Sequence, residues 1–138
     1  MEKTAALLFA LFTTALAVSC GDTSTGPTEA PLQGAWRLQV LQATGDTRQT
    51  ISEPERFTAE FLADGALHVR ADCNRCNGTY TLSGRSLTVS ALACTRAACQ
   101  LAELESAFTR VLQGATGAES LPDTLQLSGP SGALVLRR

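Results

Sequence analysis

The stretch Ala71-Asp72-Cys73-Asn74-Arg75-Cys76-Asn77-Gly78-Thr79-Tyr80, followed after a short gap by Cys94-Thr95-Arg96-Ala97-Ala98-Cys99, holds four of the five cysteines of this chain within twenty-seven residues. Four thiols so close together are chemically loud. They can bridge one another, hold a metal, or cycle between thiol and disulfide. Cys-x2-Cys followed by Cys-x4-Cys offers four thiolates of the kind zinc takes, although the second spacing is loose. Cys73-Asn74-Arg75-Cys76 has the spacing of a thioredoxin-like redox pair. Such a pair opens a helix whose dipole lowers a thiol pKa, whereas Asn77-Gly78 follows here and no helix does. Structural disulfides are the remaining reading.

On either side of the block the apolar residues alternate as they do in strands. Trp36, Leu38 and Val40 fall on one face, with Arg37 and Gln39 between them. Phe57, Ala59 and Phe61 repeat the pattern against Thr58 and Glu60. Ala63-Asp64-Gly65 reads as a hairpin turn of the primed kind, for which Asp-Gly supplies positive φ. The return strand then places Leu67, Val69 and Ala71 inward and His68, Arg70 and Asp72 outward. Tyr80 and Leu82 face Leu87 and Val89 across Ser83-Gly84-Arg85-Ser86. Leu125 and Leu127 face Leu134 and Leu136 across Gly129-Pro130-Ser131-Gly132.

One helix interrupts the strands. From Gln100 to Gln113, Leu101, Leu104, Phe108, Val111 and Leu112 recur at helical spacing, and Gly114 follows as a C-cap. Its apolar stripe requires the sheet as partner. Gly114 to Pro122 reads as a loop of small residues. Ile51-Ser52-Glu53-Pro54 reads as an irregular connection, broken by Pro54.

The N-terminal end has a different character. Ala5 to Val18 is an uncharged apolar run of about fourteen residues behind Lys3, too short for a membrane span of about 20 but suited to a signal-peptide core. It ends in Leu16-Ala17-Val18-Ser19-Cys20, which resembles the bacterial lipobox. Residues 1–19 are therefore expected to be a signal peptide, with Cys20 the lipidated N-terminus of the mature protein. Otherwise Cys20 would be an unpaired thiol in an oxidising compartment. Residues 20–31 carry two glycines, two prolines and no large apolar residue, the composition of a flexible tether. Gly21 after the cysteine favours an outer-membrane destination by analogy with enterobacterial sorting.

Residues 32–138 are enough for one domain with a modest core. From Cys20 onward there are 12 acidic and 10 basic residues, a formal charge of −2. The only close arginine pair is the terminal Arg137-Arg138, and no basic stripe is expected, which argues against nucleic-acid binding.

The motifs carry a family resemblance. Leu32-Gln33-Gly34-Ala35-Trp36-Arg37-Leu38 resembles the opening of a META domain, the family that includes the heat-shock protein HslJ. The first cysteine stretch is similar to its hallmark, Cys-Asn followed by an aromatic residue, Gly and Tyr. Thr95 to Cys99 with the helix after it resembles the second hallmark, and the last hairpin completes the match. The resemblance implies a mainly β fold, a strongly curved, small barrel-like antiparallel sheet with one α-helix packed on it. It also implies a bacterial envelope protein, often a lipoprotein, with some members linked to heat shock or other stress, and it brings no catalytic mechanism. Trp36, Asn74, Gly78, Tyr80 and Thr95 take the structural positions of the family motifs.

Two departures stand out. Cys76 occupies the place of the aromatic residue, and Cys94 stands just before the second hallmark. Four cysteines allow three pairings, and the sequence by itself does not choose among them. The resemblance implies Cys73–Cys99 at the family positions, with Cys76–Cys94 as an added bridge nested inside.

Other reactive side chains have plain readings. His68 is the only histidine and points outward. Ser83, Ser86 and Ser90 lack a base and a glycine-flanked elbow. Asn74 and the sequon-like Asn77-Gly78-Thr79 belong to a turn. Glu103 and Glu105 sit on a helix surface facing different sides. The expectation is a non-enzymatic, monomeric envelope lipoprotein without a cofactor or catalytic residues, held to the membrane through Cys20 on the periplasmic side. It would bind an envelope protein or ligand in a maintenance or stress role. The alternatives are a protease inhibitor or carrier of a small apolar ligand and, further off, a thiol-redox or zinc protein.

Overall fold

The computed structural model describes residues 31–138; the signal peptide, Cys20 and the tether up to Ala30 lie outside the described residues. The strands are β1 (Gly34–Ala43), β2 (Gln49–Thr50), β3 (Phe57–Phe61), β4 (Ala66–Ala71), β5 (Asn74–Ser83), β6 (Ser86–Val89), β7 (Ala93–Cys94), β8 (Gly117–Ser120), β9 (Thr124–Gly129) and β10 (Gly132–Arg137), with helix α1 (Ala102–Gln113) between β7 and β8. Eight antiparallel strands follow one another in the order β1-β3-β4-β5-β6-β8-β9-β10. The ring closes because β10 pairs back onto β1. The protein is thus mostly β, a closed barrel-like sheet with one helix. Strands β2 and β7 add short pairings to β1 and β5.

The interior is filled by alternate residues of the strands, as a small barrel requires. Trp36, Leu38, Phe57, Ala59, Phe61, Leu67, Leu125, Leu127, Leu134 and Leu136 are all buried. Among the described residues the buried apolar side chains form one cluster from Leu32 to Leu136, so this unit carries its own core. Phe108, Val111 and Leu112 of α1 are buried as well, and Phe108 stands edge-on to Phe57 at 5.8 Å. The helix touches β1, β4, β6, β9 and β10, strands from right round the ring. It therefore stoppers one end of the barrel. At the other end the Trp36 indole donates to Leu32 O at 2.8 Å. Arg138 lies 4.3 Å from the centre of the Trp36 ring and donates to Pro31 O at 2.6 Å, tying the first described residues to the last.

Four local expectations need correcting. Gln39 forms a bulge where the β1–β10 register slips between Leu38 and Val40. An extra residue reverses the alternation, so Val40 turns half out while Leu41 and Ala43 go in. Asp64 does not take positive φ and only Gly65 does, at 87°, so the turn is not a primed one. The Asp64 carboxylate instead accepts the Ala66 N–H at 3.0 Å. Leu82 is exposed because β4 ends its pairing at Ala66 opposite Thr79, leaving the tip of β5 without a neighbour on that side. The stretch from Gly114 to Pro122 is not a plain loop: it contains β8, in register with β9. Its inward residues are the small Ala118 and Ser120, which give no apolar signal.

Candidate functional site

Three consecutive residues at the β4–β5 turn organise the region that the cysteines mark. Asp72 is the first, and it is not outward-facing. The strand pattern fails because Asp72 adopts φ 56°, a left-handed conformation that aspartate tolerates better than most residues. The flip carries its side chain into the protein, fully buried. There one carboxylate oxygen pairs with the Arg56 guanidinium, and the other accepts the Leu101 N–H at 2.8 Å. Leu101 occupies the N-cap position of α1 and has no side-chain cap of its own. Asp72 thus caps the helix from another part of the chain, placing negative charge at the positive end of the dipole. Burial pushes the Asp72 carboxyl pKa up. The Leu101 N–H and the Arg56 guanidinium outweigh that push and hold it below the ordinary carboxylate value. The hydrogen bond from Arg56 to Asp72 in turn raises the Arg56 pKa above its usual value. Arg56 is steadied by Glu53 at 3.1 Å.

Cys73 is the second residue. It is bonded to Cys99, with Cα atoms 5.6 Å apart. Asn74 is the third, and it is buried. Its Oδ1 accepts from Thr95 Oγ1 at 2.8 Å and from the Ala97 N–H at 2.8 Å. Its Nδ2 donates to Glu105 Oε1 at 2.9 Å and to Ala97 O at 3.0 Å, with Cys99 Sγ at 3.2 Å. The expected local role for Asn74 is therefore wrong in range. Its partners lie 21 to 31 residues away. Glu105 is half-buried in this network and not a free surface acid. The carboxylate cap on Leu101, the covalent bond and the amide network thus fasten segment 95–105 side by side.

The second bridge continues the fastening. Cys76 and Cys94 are directly opposite in the β5–β7 register and are bonded to each other. Thr95 extends the pairing: its N–H donates to Arg75 O at 2.9 Å, and its hydroxyl accepts the Arg75 N–H at 3.0 Å. All four thiols are consumed in these bridges, so no thiolate set remains for zinc. The Cys73-x2-Cys76 spacing crosses a turn into a strand, not into a helix. Among the described residues no group of three or more His, Cys, Asp or Glu is placed to hold a metal.

The remaining motif residues have physical roles too. Asn77-Gly78-Thr79 lies inside β5, not in a turn as expected. Gly78 is crossed by the loop after β6: a Cβ there would stand 2.8 Å from Leu92 Cδ2 and 3.0 Å from Ser90 Oγ. Ser90 is held there by the Thr79 N–H, which donates to its hydroxyl at 2.8 Å. Tyr80 is buried, donates to Leu62 O at 2.7 Å and meets Phe61 edge-on at 4.9 Å. His68 is exposed, opposite Glu60 on one side and Asn77 on the other.

Beside the clamp runs an open groove of about 770 Å³. One wall is the start of α1, Gln100 to Leu104 with Ala107. The other is Leu41 with the Asp46–Gln49 connection. Leu41, Leu101, Leu104 and Ala107 give it an apolar floor, rimmed by Asp46, Arg48 and Glu103. The wall that Asp72 caps is thus also a wall of this groove. The two bridges were expected from the resemblance, whereas the groove and the Asp72 cap went unseen in the sequence. Only the bulge brings Leu41 inward, and only a positive φ turns Asp72 in.

The sequence model of the META domain family matches residues 30–138. Among solved structures, the chain is similar to a protein from Burkholderia xenovorans determined by NMR. Identity is 24%, the TM-score is 0.61, and the match covers 77% of this chain and 81% of that one. It is also similar to a DUF4847-family protein from Bacteroides vulgatus, at 13% identity and TM-score 0.55, covering 75% and 90%. A further NMR structure has 23% identity and TM-score 0.55, covering 76% and 88%. These likenesses are of fold. No curated protein matches the chain.

Proposed function

Because this chain belongs to the META domain family, we propose that it is a lipid-anchored bacterial envelope protein whose domain is a non-enzymatic binding module for envelope maintenance or stress. The observation that carries this reading is the state of the cysteines. All four in the domain are joined in two bridges, and such bridges persist in oxidising compartments, not in a bacterial cytosol. That agrees with the signal-like start and the lipobox-like Leu16 to Cys20.

The chemistry of the polar residues around the cysteines supports a structural role. Asp72, Asn74 and Thr95 spend their polar atoms on holding segment 95–105. The binding surface in this reading is the groove along α1 at the stoppered rim. Its apolar floor fits an apolar ligand or side chain, so the carrier or inhibitor alternative belongs to the same groove. A ligand inside the barrel has less support, because the core side chains fill that space.

The test is fractionation of cells expressing the whole chain, with intact mass on the purified product. The reading expects the domain in the membrane fraction, acylated on Cys20, and a Cys20→Ala chain without the acyl mass. A chain found in the cytosol with reduced thiols would refute it.

A further inference from the structure

The sequence shows no basic stripe, yet the strand register builds one. Arg137 of β10 is opposite Arg37 of β1. Arg37 is opposite Thr58 of β3, Thr58 opposite Arg70 of β4, and Arg70 opposite Arg75 of β5. Each arginine adjoins an inward, buried residue: Leu136, Trp36 and Leu38, Val69 and Ala71, Asn74 and Cys76. Alternation therefore points all four to the outer face, where they are exposed. The row crosses four strand gaps, roughly 19 Å along the surface.

Two features make the row more than a solvated face. Arginines sit directly opposite each other twice, Arg37 with Arg137 and Arg70 with Arg75, and like charges in that position destabilise a sheet. Among the described residues, Arg37, Arg75 and Arg137 have no side-chain hydrogen bond or ion pair, and Arg70 donates only to the Asp72 carbonyl. The neighbouring row adds His68 and a single acid, Glu60. This concentration arises in a stretch, residues 31–138, with ten acidic residues balanced by ten arginines and no lysine. Arginine is the side chain whose planar fork suits phosphate oxygens.

We propose that this face binds the phosphate-bearing surface of an anionic lipid bilayer. The inference rests on the anchored reading for its choice of partner. Residues 21–30 separate Cys20 from the described start at Pro31, so an anchored domain stays within tens of ångströms of the headgroups. Pro31 is itself held by Arg138, next to the Arg137 end of the row. The Asp22 and Glu29 carboxylates of the tether oppose the attraction, and the arginines outnumber them.

The test uses the full chain carrying Cys20→Ala, so that no acyl chain contributes. Binding is measured to phosphatidylcholine vesicles with and without phosphatidylglycerol. The signal segment contributes to both, and the arginine row contributes to the difference. The proposal expects tighter binding to the anionic vesicles, weakened by salt. It expects that preference to fall roughly tenfold or more in Arg70→Gln/Arg75→Gln and in Arg37→Gln/Arg137→Gln. The pair Arg85→Gln/Arg110→Gln, which removes equal charge at the β5–β6 turn and on α1, should leave it unchanged. Thermal melts check the fold, and Arg75→Gln alone should melt no lower than the parent. Equal binding to both vesicle types, an equal loss in the control pair, or a stronger preference for duplex DNA over anionic vesicles at the same salt would each overturn the proposal. Absence of acylation in the native protein would show separately in the Cys20 mass.

Discussion

Asp72 and Asn74 divide the work of the turn between charge and hydrogen bonding, and each division can be measured. The Asp72 carboxyl is held below its ordinary pKa in the fold. Its contribution is therefore present above the unfolded value of about 3.9 and is lost as pH falls through the lower folded value. The melting-temperature gap between the wild type and Asp72→Asn should be present at neutral pH and shrink progressively below about pH 4. A gap independent of pH would show that the charge is idle. Asn74→Ala strands the Ala97 N–H and the Thr95 hydroxyl, at a cost of roughly 2–3 kcal/mol. Asn74→Asp should cost more at neutral pH, because the new carboxylate faces Glu105, which now receives an N–H from Asn74. Adding Glu105→Gln should restore part of that loss, as denaturant melts would reveal. The sequence made Asn74 visible through its motif. It hid Asp72, because alternation is blind to a residue whose φ reverses its side chain.

At the scale of elements, the two bridges enclose nested loops, with 26 residues separating one pair and 18 the other. In the chain-entropy model the outer bridge stabilises by about 3.5 kcal/mol. Removing both by Cys→Ala should cost more than the sum of the two single removals, since in each single variant the remaining bridge still restricts the unfolded chain. Strict additivity in chemical denaturation would contradict that. The β1 bulge makes another prediction: Leu41→Thr should destabilise by about 2 kcal/mol or more, while Val40→Thr stays within about 1. The opposite ranking would restore the uninterrupted alternation. The paired leucines of β9 and β10 and the helical stripe of α1 were legible because a full apolar face demands a partner. Strand β8 was not, since Ala118 and Ser120 bury too little to be seen. The cap of α1 was hidden for a different reason: it comes from a residue 29 positions away, which no local pattern encodes.

For the molecule as a whole, the resemblance and the alternation together anticipated a strongly curved, small barrel-like sheet with one helix. Closure through β10 onto β1, and a helix that stoppers the barrel instead of lying on its flank, needed the three-dimensional register. So did the arginine row, whose members lie far apart in sequence. The account makes the cysteine block a clamp that fixes the start of α1 against the barrel, beside the groove. Its central claim is that none of the four thiols is reactive in the native protein. The direct measurement is alkylation of the protein taken from intact cells, without reductant, followed by peptide mass mapping. The account predicts no alkylated cysteine in the domain and two linkages, Cys73–Cys99 and Cys76–Cys94. A Cys73–Cys76 linkage, or free thiols released together with a bound metal, would contradict it.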